Sequence, residues 1–312
     1  MARQKSSSGS REGEYEDGPT RTPEAGKPQH GGDLKEAGLA PGLYVTATPI
    51  GNARDITLRA LDALKACDLI AAEDTRVTAK LLAIHGIAKP LTAYNDHNAE
   101  RERPRLLKRL HQASRIVLVS DAGTPLVSDP GFKLVRAAVE EGIAVHVLPG
   151  ASAVLAGLAL SGLPSDRFLF AGFLPSKTGE RRTALEEFRN ERATLIFFES
   201  GGRLASSLRD MAQILGPRSA VVAREMTKLH EEVRRGALAE LAEIYEEAAP
   251  KGEVTLLVSG AAKAEIDFAL VDQALDTALP FMPLKPASEM IAALLGISRH
   301  AVYARALEKK NG

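Results

Sequence analysis

Only one of the 312 residues, Cys67, is a cysteine. That excludes an internal disulfide and any cysteine-based zinc cluster. Its place between Ala66 and Asp68, at the end of a helical pattern, marks it as a small packing residue rather than a nucleophile. Net charge is missing too. Forty basic residues balance forty acidic ones, so no overall field draws the chain to polyanions. That argues against a general polyanion binder, and DNA is not expected as a partner, while local basic patches remain open. No apolar run approaches the length of a membrane span, and no signal peptide is visible, so no membrane contact is expected and the cytoplasm is the expected location. Several common motifs are absent as well. Neither G-x-G-x-x-G after a strand nor G-x-x-x-x-G-K-S/T occurs, which argues against a dinucleotide domain or a P-loop. There is no H-E-x-x-H or clustered His/Cys spacing, so no metal is expected, and no G-x-S-x-G elbow.

What is present is an ordinary globular composition, 45% hydrophobic and 26% charged, in a chain long enough for two medium domains. Residues 1–41 stand apart, with SSSGS, scattered Gly and Pro, mixed charge and almost no branched aliphatics. Such a segment buries too little apolar surface to offset its ordering entropy and reads as a disordered tail. From Leu43 strand, loop and helix alternate, which predicts an α/β fold. Strands are expected at 43–47, 68–72, 90–94, 116–119 and 144–148. Four of them end in polar or Gly/Pro-rich loops: TPIGN (48–52), EDTR (73–76), SDAGTP (120–125) and PGAS (149–152). With helical crossovers the strands should be parallel and the loops should gather on one rim. Open α/β sheets bind ligands at that rim. The stretch IVLVSDAGTPLVSDPG (116–131) shows the pattern best, a buried strand running into a loop where glycine permits close approach and proline restricts motion. Taken alone, that loop could be a turn and nothing more, and Thr124 and Ser152 could be helix caps.

The second half reads as a mixed sheet. Strands are expected at 167–173, 194–200, 219–225, 230–236 and 253–260, with close spacing around 219–236 that suggests antiparallel pairing. The expected division is an N-terminal α/β domain at 42–155, a second α/β domain at 156–262 and a small helical unit at 263–312. In the last, helical patterns at 286–296 and 298–310 flank a turn at Gly296. This is either a helix-turn-helix or a small packing pair. Arg299, His300, Arg305, Lys309 and Lys310 fall on or near the second helix.

Seven segments, in order, carry a resemblance: TPIGNARDITLRAL, AAEDTR, VSDAGTPLVSDPG, PGASA, GLPSDRFLFAGFLP, REMTK and KGEVTLLV. They resemble the motifs of tetrapyrrole-methylase-type S-adenosylmethionine methyltransferases. Within that superfamily they are similar to the RsmI branch, which methylates the 2′-oxygen of a cytidine in 16S ribosomal RNA. Porphyrin-modifying relatives carry a G-D-P loop where this chain has A-G-T-P. One departure is the pair Gly201–Gly202, where relatives tend to have a bulkier polar pair. The likeness runs from about Leu43 to the C-terminus. It implies a two-domain fold with an S-adenosylmethionine cleft, a homodimer, and 16S rRNA or the small ribosomal subunit as substrate.

Carried over by position, the resemblance places Pro49, Ile50 and Gly51 on one side of the cofactor. Asp121, Gly123, Thr124 and Val127 would hold its methionine and ribose portions, and Ser152 and Ala153 its adenosine. Phe170 to Phe173 would close from the second domain, with Phe173 against the cofactor. The reaction that the resemblance implies would be an in-line methyl displacement by a ribose oxygen. Alignment supplies up to about 7–11 kcal/mol of such a barrier, and a proton acceptor adds roughly 10²–10⁴-fold. Candidate acceptors are Glu73, Asp74, Asp96 or His97, and Glu225 with Lys228. Asp74 is placed first, its alternative role being a helix cap. RNA contact is expected from Arg76, from Arg101, Arg103, Arg105, Lys108 and Arg109, from Arg181 and Arg182, from Arg234 and Arg235, and from Arg299 and Arg305. The alternative is solvated helix faces paired with Glu100 and Glu102. Two other functions stay open: a same-fold methyltransferase acting on a tetrapyrrole or modified protein side chain, and a non-catalytic RNA-binding factor.

Overall fold

The computed structural model describes residues 39–262 and 267–311. The expected tail up to residue 38, and the expected start of the C-terminal unit at 263, lie outside the described residues. Leu39 and Ala40, read from sequence as tail, are part of the fold. Leu39 packs on the core around Leu64 and Ile70, and the Ala40 carbonyl accepts the Tyr44 hydroxyl at 2.8 Å.

The first sheet has five parallel strands: β1 (Gly42–Thr46), β2 (Leu69–Ala72), β3 (Leu91–Ala93), β4 (Arg115–Val119) and β5 (Val145–Leu148). Their order is β3-β2-β4-β1-β5. Helices α1 (Leu58–Ala66), α2 (Thr75–Ile84), α3 (Ala99–His111) and α4 (Phe132–Glu140) make the crossovers. Both faces are covered, which is why β1 and β4 read as continuous apolar runs rather than alternating ones. Leu43, Val45, Ile116 and Leu118 face Leu106, Leu110 and Leu134. Tyr44, Ile70 and Val117 face Leu64, Leu82 and the buried Cys67. The chain leaves β1 for β2 and β3, returns through β4, then crosses β1 to reach β5, so the strand order reverses beside β1 and β4. A crevice at the carboxyl ends follows there.

The second sheet comprises β6 (Phe168–Phe173), β7 (Thr194–Ser200), β8 (Ser219–Arg224), β9 (Glu232–Ala237) and β10 (Glu253–Val258), in the order β6-β7-β10-β8-β9. β6 runs parallel to β7, and the remaining pairs are antiparallel. Helix α5 (Ala153–Ser161) packs Val154 and Leu158 on one face, against Ile196, Val221 and Leu257. Helices α6 (Thr178–Glu186), α7 (Leu204–Leu215) and α8 (Leu238–Glu247) bring Leu185, Leu208, Met211 and Leu241 to the other. The glycine pair has a steric account. A Cβ on Gly201 would lie 1.8 Å from the Pro250 carbonyl oxygen, while one on Gly202 would meet open space.

The C-terminal unit holds three helices, not two: α9 (Phe268–Ala278), α10 (Leu284–Leu295) and α11 (Arg299–Asn311). Val271 and Leu275 of α9 complete the small core with Ile291, Val302 and Ala306. Gly296, at φ +63°, makes the turn between α10 and α11. Among the described residues no helix is long and apolar enough to cross a membrane.

Candidate active site

The four loops at the carboxyl ends of the first sheet are tied to one another. Thr48 and Gly123 exchange backbone hydrogen bonds of 2.8 and 3.0 Å. The Thr48 hydroxyl donates to the Ser120 carbonyl at 3.1 Å, and the Thr124 hydroxyl donates to the Ala151 carbonyl at 3.1 Å. The Asp74 amide donates to Asp121 Oδ1 at 3.0 Å, and the Asp121 amide donates to Glu73 Oε2 at 3.2 Å. TPIGN, EDTR, SDAGTP and PGAS therefore meet along one edge, where sequence placed them.

Above that edge lies a cleft of about 570 Å³ whose other wall is the second sheet. Of the residues expected at the cofactor, Ile50, Asp121, Gly123, Thr124, Val127, Ser152, Ala153 and Phe173 line it, as do Glu225 and Lys228. Pro49, Gly51 and Asp74 are not on its surface. Gly51 packs against the β8–β9 loop, where a Cβ would come within 2.6 Å of Lys228 Cγ and 2.8 Å of the Met226 carbonyl. Ser152 caps α5 as well as lining the cleft. Asp74 caps α2, the alternative given for it from sequence: its carboxylate accepts the Arg76 amide at 2.8 Å and grips the Arg76 guanidinium at 2.6 Å.

Two features that set the cleft's shape carry no sequence signal. Of the five described non-glycine residues with positive φ, four sit in its loops: Leu126, Ser128, Glu225 and Thr227. Each such residue costs about 1–3 kcal/mol and persists where its surroundings over-determine it. Here the Thr227 hydroxyl accepts the Asn52 amide at 3.0 Å and the Thr227 amide donates to Glu231 at 2.8 Å. The second feature is a bulge in β6 between Phe170 and Gly172. It inserts Ala171 and re-aims Phe173, so that Phe170 and Phe173 both meet the Phe198 ring edge-on, at 4.8 and 5.6 Å.

The cleft is acidic. Sequence reasoning passed over Asp129 and Glu253, which join Glu73 and Asp121 on its lining. Burial pushes the Glu73 and Asp121 carboxyls above their ordinary range. Burial, with Glu73, Asp121 and Glu253 nearby, pushes Asp129 up to about 6 against a hydrogen bond from Ser120. Asp74 goes the other way, held at about 2 by its hydrogen bonds with Arg76. The two lining cations are already paired, Arg224 with Glu232 at 2.5 Å and Lys228 with Glu225 at 2.8 Å. Such a cavity favours a cationic ligand and offers little to a phosphate.

The expected RNA-contact residues are scattered and mostly paired. Arg101 and Arg105 both reach Glu102 at 2.9 Å with side chains about two-thirds exposed. Arg103 pairs with Glu100, as the alternative for this helix foresaw. Arg299 pairs with Glu289 at 2.9 Å. Arg305 clamps α11 to α9 through Asp272 at 2.6 Å and lies over the Phe268 ring. Arg181 is corrected outright: it is 4% exposed and bound to Asp210, a packing element of α6 and α7 rather than an RNA contact. Arg235 is spent on the Ser161 carbonyl at 3.1 Å.

Comparison with known proteins fits this geometry. Residues 42–242 match the family described as Tetrapyrrole (Corrin/Porphyrin) Methylases, and residues 265–310 match the RsmI C-terminal HTH domain. Ribosomal RNA small subunit methyltransferase I of Mesorhizobium japonicum is 50% identical over 88% of this chain and 94% of its own length. The protein of the same name from Escherichia coli O157:H7 is 47% identical over 86% and 95%. The chain belongs to the tetrapyrrole methylase family, in its ribosomal RNA small subunit methyltransferase I branch. The family's fold is also that of more distant solved structures. A uroporphyrin-III C-methyltransferase from Thermus thermophilus, complexed with S-adenyl homocysteine, shares it at TM-score 0.51 and 23% identity, over 70% of this chain and 97% of that one. A diphthine synthase shares it at TM-score 0.54 and 19% identity, over 70% and 89%.

Proposed function

We infer that this methyltransferase acts on the ribose 2′-oxygen of a cytidine in 16S rRNA, using S-adenosylmethionine in the acidic cleft. The observation that carries it is the near-full-length identity to ribosomal RNA small subunit methyltransferases I, met by a cleft built from the same loops that bear the family's motifs. The residues present suit the cofactor. Asp121, Asp129 and Glu253 complement its sulfonium and ammonium charges, Ile50, Val127 and Phe173 give apolar contact, and among the described residues of the lining no cation is free to invite a phosphate. When bound, it supplies a methyl group already activated for transfer.

The protein's share is then alignment and proton removal. Pro49 and Gly51 act by fixing the loop that carries Ile50. Thr124 holds the SDAGTP and PGAS loops together, while Glu225 and Lys228, paired at the lip, position that wall. Glu73 takes the hydroxyl proton. It lines the cleft, and burial makes its carboxylate a better acceptor than Asp74, whose charge Arg76 already neutralises. Arg76, Arg101 and Arg105 present guanidinium groups that stay exposed despite their partners, and these give RNA its first contacts. A ribosomal substrate places the work in the cytoplasm, with the chain as a homodimer. The test is transfer of labelled methyl to unmodified small subunits, followed by nucleoside analysis. The expected product is 2′-O-methylcytidine. Label on a tetrapyrrole instead, with none on subunits, would overturn this assignment.

Cofactor binding should depend on pH through Asp129. Its carboxyl titrates at about 6 in the fold against 3.8 ordinarily, so affinity for the cationic cofactor rises as pH rises through about 6. Stability runs the opposite way. Between 3.8 and about 6 the folded chain holds a proton that the unfolded chain has released, so stability falls as pH rises across that window. Asp129→Asn should therefore melt higher than the parent at neutral pH, match it below the window, and bind cofactor weakly at every pH. Thermal melts and calorimetric titrations at acidic and neutral pH check both halves.

A further inference from the structure

The cleft has a neighbour at the same sheet edge. A second pocket of about 430 Å³ opens beyond β2 and β3, lined by Arg76, Asn95, Asp96 and His97 among others. Glu73 and Asp121 line both pockets, so the two cavities share a wall of carboxylates. We propose that this second pocket receives the target nucleotide of the RNA, turned out of its helix, with the ribose at the shared wall and the base toward Asp96 and His97. The proposal rests on the methyltransferase assignment above and adds where the acceptor sits.

Four observations support it. A methyl donor held in the cleft and a hydroxyl held in the pocket would meet beside Glu73, the one candidate acceptor that lines both spaces. Asp96 and His97 lie exposed on the turn between β3 and α3, and neither side chain has a hydrogen bond or ion pair among the described residues. Their neighbours, by contrast, are fixed: the Asn95 side-chain Nδ2 donates to the Glu73 carbonyl at 3.3 Å, and the Asn98 Oδ1 accepts from the Asn95 backbone N–H at 2.9 Å. An unpaired carboxylate on a turn whose flanking residues are fixed is an acceptor suited to a cytosine amino group. Arg76 stands at the rim with its side chain 86% exposed, suited to the phosphate of a nucleotide still joined to its chain. Extrusion into a side pocket is also how an enzyme reaches a group that stacking would otherwise shield.

The chain's one native thiol is buried, with Cys67 at 1% exposure, so a thiol placed in the pocket can be modified alone. In His97→Cys capped with a bulky maleimide, cofactor-free protein should bind unmodified small subunits about tenfold more weakly or worse. Methyl transfer should fall with it, while the melting shift given by S-adenosylhomocysteine stays that of the parent. Asp96→Ala, which removes no hydrogen bond or ion pair among the described residues, should raise KM for subunits more than it lowers kcat. Parental binding and transfer by the capped protein would overturn the pocket's role while leaving the methyltransferase assignment intact. Loss of the S-adenosylhomocysteine shift would instead make the pocket part of the cofactor site. An unmodified parent that transfers no methyl to subunits overturns both together.

Discussion

Asp210→Ala is expected to destabilise the protein by about 3–5 kcal/mol, the cost of stranding a buried charge when its partner is removed. Asp210 and Arg181 are each 4% exposed, paired at 2.5 Å, and join α7 to α6. Arg182 takes the other Asp210 oxygen at 2.7 Å. Removing the carboxylate leaves the Arg181 guanidinium enclosed, with, among the described residues, only the Ser176 carbonyl at 3.4 Å within reach. Arg181→Ala should cost less, because Arg182 still neutralises Asp210. The double replacement Arg181→Met with Asp210→Leu should recover most of the loss, since well-packed apolar side chains commonly match or exceed a buried ion pair. Urea unfolding followed by circular dichroism measures all three. Methyl transfer to small subunits, assayed well below the melting temperature, separates this account from an RNA-binding one. A packing pair leaves KM for subunits unchanged in the double variant, whereas an RNA contact raises it.

That pair shows where the sequence stopped being informative. An Arg-Arg dipeptide on a polar helix looks like a surface patch, and its partner lies 29 positions away. The first sheet was legible because burial on both faces forces continuous apolar runs such as that of β4, and because parallel strands deliver their loops to one side. Helix α5 was not, because AVLAGLALS is apolar on every side and offers no period. α9 was missed although Val271, Leu275 and Ala278 are spaced for one face and Asp267 caps its start. Most cofactor candidates do line the cleft, since motif loops at strand ends have nowhere else to go. Nothing in Leu126 or Thr227 announces a left-handed backbone, and nothing in FLFAGF announces a bulge. The same limit affected the acids. Glu73, Asp74, Asp121 and Asp129 are alike as letters. Burial and Arg76 separate them, raising three and pinning the fourth at about 2.

Glu73→Gln is expected to lower turnover by roughly 10²–10⁴-fold, the share a positioned proton acceptor contributes, with cofactor affinity close to the parent's. The substitution is conservative in shape. Glutamine keeps an oxygen able to accept the Asp121 amide, which meets Glu73 Oε2 at 3.2 Å, so the joined loops should hold their places. What is lost is basicity. Because burial sets the Glu73 carboxyl above its ordinary range, activity of the parent should fall on the acid side as that group takes up a proton. The limb should be absent from the residual activity of the variant. Asp74→Ala makes the contrast. It removes the α2 cap and the Arg76 pair, so it should lower the melting temperature and loosen RNA binding at the rim, yet keep kcat near that of the parent. Single-turnover rates against pH, beside cofactor titrations, decide between the two carboxylates. If Asp74→Ala abolishes the chemical step while Glu73→Gln spares it, the proton goes to Asp74 and the shared wall has only a structural part.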